Sequence, residues 1–353
     1  MANDEFRRIA GLVHDAGRYS DLFARSDGSA LKTTFRSMTK VIHPDLVTDD
    51  LRAEAGDVMS KLTSFYDEAV KAVQDGTFGA PTPLLTLQTA DFRHDCTTRR
   101  TRWADMTVAF DARSVSGAQS FGSLVKIARL PRDNDLLAAE ADALRLLAKT
   151  GDEHHMYFPR LLDSTAVRDG RARLRANVLE RLDGFYNLEE VMEHVPGGIH
   201  PLDMGWIWRR TLWALGGCHE AGVLHGALVP SHIMIEPTLH GVVLVDWCYS
   251  VVRSGDDYPS LSAVAHGYRD WYPDAILRRT SAPTAALDLA LAARSMCRIM
   301  GSQPVPEPMR RYFTGVKSGA THGSAYELLA RFDEVLERLG APYWPRSYRP
   351  LNW

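Results

Sequence analysis

The residue types best suited to chemistry lie between positions 219 and 248. Asp246 directly follows a strongly apolar run, residues 241–245. An acidic group in that position is often functional, but it can also simply cap a turn. Four histidines precede it, and their spacings fit no standard zinc pattern. They are His219, His225, His232 and His240. The residues alone therefore argue against a zinc site. They leave open whether Asp246 is a functional carboxylate or only caps a turn.

Segment 224–250 resembles the catalytic loop and the metal-binding strand of a protein kinase. It reads Leu-His-Gly-Ala-Leu-Val-Pro-Ser-His-Ile-Met-Ile and, after a short gap, Val-Leu-Val-Asp-Trp-Cys. Kinases carry His-Arg-Asp-Leu-x-x-x-x-Asn in the loop and Asp-Phe-Gly after it. In that family the first Asp takes the proton of the substrate hydroxyl, the Asn holds a second Mg²⁺, and the later Asp holds the first. The resemblance implies that Asp246 is a Mg²⁺ ligand.

The catalytic groups of this loop have changed. His225 keeps its place, but Ala227 stands where the base belongs and His232 stands where the Asn belongs. Val229 replaces the usual Lys. A methyl group cannot accept a proton, and a neutral imidazole is a poor ligand for Mg²⁺, which prefers oxygen. Because phosphoryl transfer depends on positioning and charge stabilisation, these losses together predict that it is impaired or absent.

Further kinase-like landmarks follow in the family order between residues 91 and 353. Lys126 lies in a segment that alternates like a strand, 124–128, and Glu140 lies early in a helical pattern over 135–149. In the family such a Glu orients the Lys toward the α- and β-phosphates. The alternative is that Lys126 is a surface lysine at a strand end and Glu140 a solvated helix residue. The other landmarks are a hinge at Leu179-Glu-Arg-Leu182, a long helix at 206–221, an activation-segment end at Tyr272-Pro-Asp274, and Asp288, which in the family is structural.

A glycine-rich loop to cover the phosphates is missing. The nearest glycines, Gly117 and Gly122, lie too close to Lys126 and predict a hairpin turn before its strand. Residues 92–108 contain no glycine but include Arg99, Arg100 and Arg102. A basic side chain can meet a phosphate, although a solvated face is the commoner role for such residues.

The first 78 residues predict helices. Apolar residues in 31–42 and in 55–73 recur at helical spacing, so these segments are expected to pack as an antiparallel pair. Pro44 disfavours helix at His43, so the first segment should end there. Residues 1–17 predict an additional helix in front.

This region resembles a J domain, the module that stimulates the ATPase of DnaK-type chaperones. The resemblance rests on a Tyr19-Ser-Asp-Leu22 opening, a basic second helix, the loop His43-Pro44-Asp45, and a third helix that contains Tyr66. The basic residues are Lys32, Arg36 and Lys40. With the three loop residues, they are the candidates for chaperone contact. The alternative is a plain helical hairpin whose Pro-Asp makes the turn.

The two resemblances predict a multidomain chain, in which an all-α domain is followed by an α+β domain with two lobes. Its parts are a J-like helical domain at 1–78, a linker at 79–91 with two prolines and a glycine, a kinase-like small lobe and hinge at 92–182, and a large lobe at 183–353. The last twelve residues are rich in aromatics, Arg and Pro. They suit either a binding hot spot or an anchor for the chain end.

Composition limits the classes of partner. The net charge of −3 gives no global reason to expect nucleic acid or an anionic membrane. Acidic residues by position 5 and the lack of an apolar stretch there predict that this segment is not a signal peptide. The apolar run 282–300 is interrupted by Asp288, Arg294 and Arg298, so it predicts a buried core helix rather than a membrane span. The four cysteines are far apart in sequence, which is typical of reduced thiols, and a cytoplasmic protein is expected.

The favoured hypothesis is a pseudokinase that serves as a binding or scaffold protein and carries a chaperone-recruiting module. The chain resembles the J-domain and kinase-like fusions of bacteria and bacteriophages. The expected partners are a DnaK-type chaperone and another protein, and the implied ligands are ATP and Mg²⁺.

One alternative is an atypical active kinase for a protein or small molecule. Asp246-Trp247 is similar to the corresponding pair in aminoglycoside-type phosphotransferases, but those enzymes have His-Gly-Asp where this chain has His225-Gly226-Ala227. The other is a co-chaperone whose kinase-like domain binds clients.

Overall fold

The structure, a computed structural model, describes residues 2–23, 28–74, 78–79, 83–100, 106–170, 172–319 and 323–341. Arg102, part of the predicted linker and the predicted C-terminal tail at 342–353 lie outside these residues. The chain divides into two compact units: the first unit, Met1–Thr82, and the second unit, Pro83–Trp353.

The first unit contains the predicted helices. They are α1, Ala2–Asp15; α2, Gly28–Ile42; and α3, Arg52–Gln74. Their apolar faces form one core in which Phe6, Leu31 and Leu62 are fully buried. The second helix ends at Ile42, since Pro44 restricts His43 to an extended conformation. The predicted helices and the packing of their apolar faces are therefore confirmed.

The second unit begins with a small lobe built on an antiparallel sheet. Its described strands follow the order β1-β2-β3-β4-β6-β5. The elements are β1, Leu85–Gln88; β2, Arg93–Arg100; β3, Thr107–Ser116; β4, Gln119–Ala128; α4, Asn134–Leu147; α5, Asp152–His155; β5, Leu161–Asp169; and β6, Ala172–Glu180. The turn at Gly117 joins β3 to β4, with a positive φ that glycine adopts readily, as predicted.

Strand β1 lies inside the predicted linker 79–91. Its backbone pairs with β2, where Leu85 faces Cys96. Leu87 is buried in the apolar cluster on that side of the sheet. Pro83, just before it, is compatible with an edge strand, so the composition that suggested a linker also suits a strand end.

The large lobe is mainly helical. Its elements are β7, Tyr186–Asn187; α6, Leu188–His194; α7, Pro201–Glu220; β8, Val223–Leu224; β9, Ile233–Glu236; β10, Gly241–Leu244; β11, Val251–Val252; α8, Asp274–Leu277; α9, Ala285–Ile299; α10, Glu307–Ser318; and α11, Ala325–Arg338. Helix α9 is the predicted core helix, with Leu291 and Met296 fully buried. Among the described helices, none is long and apolar enough to span a bilayer.

Candidate functional site

Three side chains predicted to act together meet where the two lobes of the second unit face each other. Lys126 comes from β4, Glu140 from α4, and Asp246 from the turn after β10. The Lys126 Nζ lies 2.6 Å from the Glu140 Oε1 and 2.7 Å from the Asp246 Oδ1. Glu140 and Lys126 are both buried. A buried lysine between two carboxylates is held by charge-assisted hydrogen bonds on both sides.

Two further residues complete this cluster, and neither was found from the sequence. Asn177 pairs with Lys126 across β4 and β6, and its Nδ2 donates to the Glu140 Oε2 at 2.9 Å. The Cys248 Sγ lies 3.2 Å from the Lys126 Nζ. Burial lowers the pKa of Lys126, but Asp246, Cys248 and Glu140 outweigh it and hold that pKa well above its usual range. The lysine is therefore an ammonium ion.

The Asp246 carboxylate is bound through both of its oxygens. While Oδ1 accepts from Lys126, the Oδ2 lies 3.1 Å from the Nε2 of His232. Burial raises the pKa of Asp246, but Lys126 and His232 outweigh it and hold that pKa well below its usual range. The backbone of Asp246 is in the left-handed region, with φ of 63°. Such a conformation in a residue other than glycine is uncommon, and the two ionic contacts compensate for it.

His232 carries two protons. Its Nε2 faces the ionised Asp246, and its Nδ1 lies 2.7 Å from the backbone carbonyl oxygen of Ala227. Both partners are acceptors, so both ring nitrogens donate, and this occurs only in the imidazolium form. Glu140, Lys126, Asp246 and His232 then form a continuous chain of alternating charge with a net charge of zero. We call this set the ionic chain.

His225, seven residues earlier, is neutral. Its Nε2 donates to the Val245 carbonyl at 2.9 Å, and its Nδ1 accepts from the Ala227 N–H at 3.3 Å. Burial lowers the pKa of His225 to about 4. The ring is completely buried and bonded on both sides. It therefore positions the loop and offers no accessible atom to a ligand.

Asp288 holds the same loop from α9. Its two oxygens accept from the N–H groups of His225 and Gly226, each at 2.8 Å. The Tyr272 hydroxyl donates to the Gly226 carbonyl at 3.0 Å. Gly226 has φ of 77°, and a side chain there would clash with the carbonyl of Tyr249. These contacts keep the loop in shape although Ala227, fully buried, carries no functional group.

A cavity of about 540 Å³ opens beside the ionic chain. Apolar side chains line it from both lobes, among them Ala109 and Leu124 on the sheet and Met234 on β9. Its polar lining includes Arg99, Arg100, Lys126, Arg181, His232 and Asp246. The volume and the mixture of apolar walls with a few charged groups are typical of a small-molecule site.

Known proteins resemble this one in structure, whereas its sequence matches no family model and no curated protein. Among solved structures, the structure of vaccinia related kinase 3 matches with a TM-score of 0.54 and 13% sequence identity, over 78% of this chain and 96% of that one. The chain has a protein-kinase-like fold. At this identity the likeness shows the fold alone, and the J-like character of the first unit stays a prediction.

The residues at the kinase-like metal position do not fit Mg²⁺. Glu140, Asp246 and Cys248 bring one ligand atom each within 4.8 Å of one another. However, the Lys126 Nζ lies within 3.2 Å of an atom of each of them, so the ammonium already fills that space. A thiol is also a poor partner for Mg²⁺, which takes oxygen ligands in octahedral geometry. This arrangement argues against the Mg²⁺ expected at Asp246.

Proposed function

We propose that the second unit is a pseudokinase, a binding or scaffold module that does not transfer phosphate. The observation that carries this proposal is the pairing of both Asp246 oxygens, one with Lys126 and the other with His232. A metal ion at either oxygen would have to displace the cation already there or share the oxygen with it. Ala227 offers no carboxylate to an incoming hydroxyl, and loss of a general base alone costs about 10²–10⁴-fold in rate.

Incubation of the purified full-length chain with labelled ATP and Mg²⁺ or Mn²⁺ tests this half of the proposal. We expect no labelled protein and no labelled phosphate above the level of a buffer blank. The Asp246→Ala variant identifies contaminating kinases, because their activity would be the same in both preparations. Robust labelling that disappears in Asp246→Ala would overturn the proposal in favour of an atypical kinase.

The proposed role of the first unit is to recruit a DnaK-type chaperone. The exposed faces support this role. Lys32, Arg36 and Lys40 are all exposed along α2. The loop that follows presents Asp45, whose side chain is 85% exposed, while the His43 Nδ1 accepts from its N–H at 3.2 Å. An exposed cationic helix face beside an ordered acidic turn suits a partner surface of mixed charge, with electrostatic steering of association.

Stimulation of the ATPase of the cognate DnaK-type chaperone tests the second half. The intact protein should raise ATP turnover, and His43→Gln should remove the effect. His14→Gln is a matched control, since His14 is an exposed histidine on α1 of the same unit. Absence of stimulation by the intact protein would leave the first unit as a helical docking module without chaperone function.

A further inference from the structure

We propose that the outer edge of β5 and three arginines beside it form a docking surface for an extended acidic segment of a partner protein. The arginines are Arg168, Arg173 and Arg175. We call this set the arginine face. The inference rests on the proposed function, in which the second unit is a binding or scaffold module, and it assigns the surface and the chemistry of the partner segment.

The three arginines project from one face of the hairpin that β5 and β6 form. In the register of this hairpin Arg168 lies opposite Arg173, and Ala166 lies opposite Arg175. Directly opposite residues share a face, and so do residues two apart along a strand. The other face is apolar, since Leu174, between the two arginines of β6, is buried in the apolar cluster of the sheet. The hairpin therefore separates its cations from its core.

The positive charge of the arginine face is not compensated by its surroundings. Arg168 and Arg173 are exposed, and neither side chain forms an ion pair or a hydrogen bond with another residue that the structure describes. Like charges directly opposite each other destabilise a strand pair. Carboxylates placed over both side chains would remove this repulsion and form charge-assisted hydrogen bonds, so the face favours an acidic ligand.

Arg175 is already held in place for such a ligand. Its Nη1 donates to the Ser164 Oγ at 3.2 Å, and this oxygen donates to the Asn177 Oδ1 at 2.8 Å. A guanidinium carries five N–H donors, so the contact with Ser164 leaves donors for a carboxylate. A side chain that is oriented before binding loses less conformational entropy when the ligand arrives.

The edge of β5 supplies the backbone groups that an extended segment needs. This strand ends the described sheet, with β6 on one side, and no other strand of the described part of the chain pairs with its outer edge. Alternate residues of such a strand direct their N–H and C=O groups outward, where an added strand can pair with them. Side chains of the added strand would lie beside those of β5. A second copy of β5 would bring Arg168 against cations, whereas an acidic strand would bring carboxylates.

Fluorescence anisotropy of a labelled peptide, titrated with the full-length chain, tests the inference. In this peptide glutamate and threonine alternate over nine residues, the length of β5. We expect saturable binding and protection of the β5 amides from hydrogen exchange. A peptide of alternating glutamate and proline has the same charge but lacks about half of the backbone donors, so it should bind about tenfold more weakly. Absence of binding by the first peptide, or equal binding of the two, would overturn the inference.

The double variant Arg168→Gln, Arg173→Gln supplies the second arm of the test. We expect it to weaken binding of the glutamate–threonine peptide by about tenfold, because two exposed charge pairs are lost. Its matched control is Arg145→Gln, Arg278→Gln, which removes the same charge from two exposed arginines on α4 and directly after α8. Equal peptide affinities of the double variant and the control would overturn the inference.

Two further results would assign the surface to another occupant and would also overturn the inference. One is self-association of the parent chain in analytical ultracentrifugation that disappears in the double variant, since the surface would then join two copies. The other is tighter binding of a single-stranded DNA with the net charge of the peptide than of the peptide itself. None of these results bears on phosphate transfer, which the labelled-ATP experiment reports separately.

Discussion

The Nε2 of His232 lies 3.1 Å from the Oδ2 of Asp246, so the residue that stands where a kinase has its metal-binding Asn contacts the carboxylate directly. The loss of Asn at position 232 is therefore more than the removal of a ligand. It introduces a ring whose two nitrogens both face acceptors, the Asp246 carboxylate and the Ala227 carbonyl. Together with Lys126 on the other oxygen, His232 neutralises the Asp246 carboxylate without a bound ion.

His232→Asn should destabilise the second unit by about 2 kcal/mol, because it leaves the ionic chain with one uncompensated negative charge. Urea unfolding followed by fluorescence measures the change. His266→Asn is the control, since His266 is exposed and the same residue types are exchanged. Equal midpoints for the two variants would show that the His232 contact contributes nothing to stability.

Lys126→Met should lower the free energy of unfolding by about 3–5 kcal/mol, because it leaves the carboxylates of Glu140 and Asp246 buried without their shared cation. The double variant Lys126→Met, Glu140→Gln should recover part of this loss, and the double-mutant cycle measures the coupling. Lys149→Met, on an exposed position, provides the baseline for the substitution type. If the effects of Lys126→Met and Glu140→Gln on the free energy of unfolding were additive, the two side chains would not interact, and the buried ion pair would be contradicted.

The sequence predicted much of this site because the kinase-like landmarks are local patterns in a fixed order. Lys126, Glu140, Asp246 and Asp288 could each be placed by the strand or helix around them. Asn177 could not, since its contact with Glu140 depends on the pairing of β4 with β6, in which Asn177 lies opposite Lys126, 51 residues earlier. Such pairing is set by tertiary structure, and single-sequence patterns carry no direct record of it.

His232 shows a different limit. The sequence alone identified His232 as a poor metal ligand in place of an Asn. That interpretation covered the loss of a ligand but not the contacts that His232 makes instead. Its charge follows only from the two acceptors that surround its ring, Asp246 and the Ala227 carbonyl, and these became visible only when the loop and the strand were placed together. Strand β1 was missed for a similar reason, because pairing with β2 stabilises a short segment whose composition suggested a linker.

His225 should make stability depend on pH. Burial lowers its pKa from 6.5 to about 4 in the folded chain, although Asp288 and Asp246 act in the opposite direction. The unfolded chain therefore binds more protons between these values, and the free energy of unfolding falls as the pH drops from about 6.5 to about 4. The loss contributed by this residue is about 3 kcal/mol at most. Urea unfolding at a series of pH values measures it.

His225→Gln is the control for this pH dependence. Glutamine can donate to the Val245 carbonyl and accept from the Ala227 N–H, but it does not titrate. The variant should show a flatter stability profile between pH 6.5 and 4 than the parent chain. An unchanged slope would assign the acid sensitivity to other groups.

The most direct test of the ionic chain is a crystal structure of the chain soaked with ATP and Mn²⁺, with anomalous scattering used to locate manganese. We predict no manganese peak at Asp246, whose oxygens remain paired with Lys126 and His232. A manganese peak at about 2.1 Å from an Asp246 oxygen, with His232 displaced, would contradict the account.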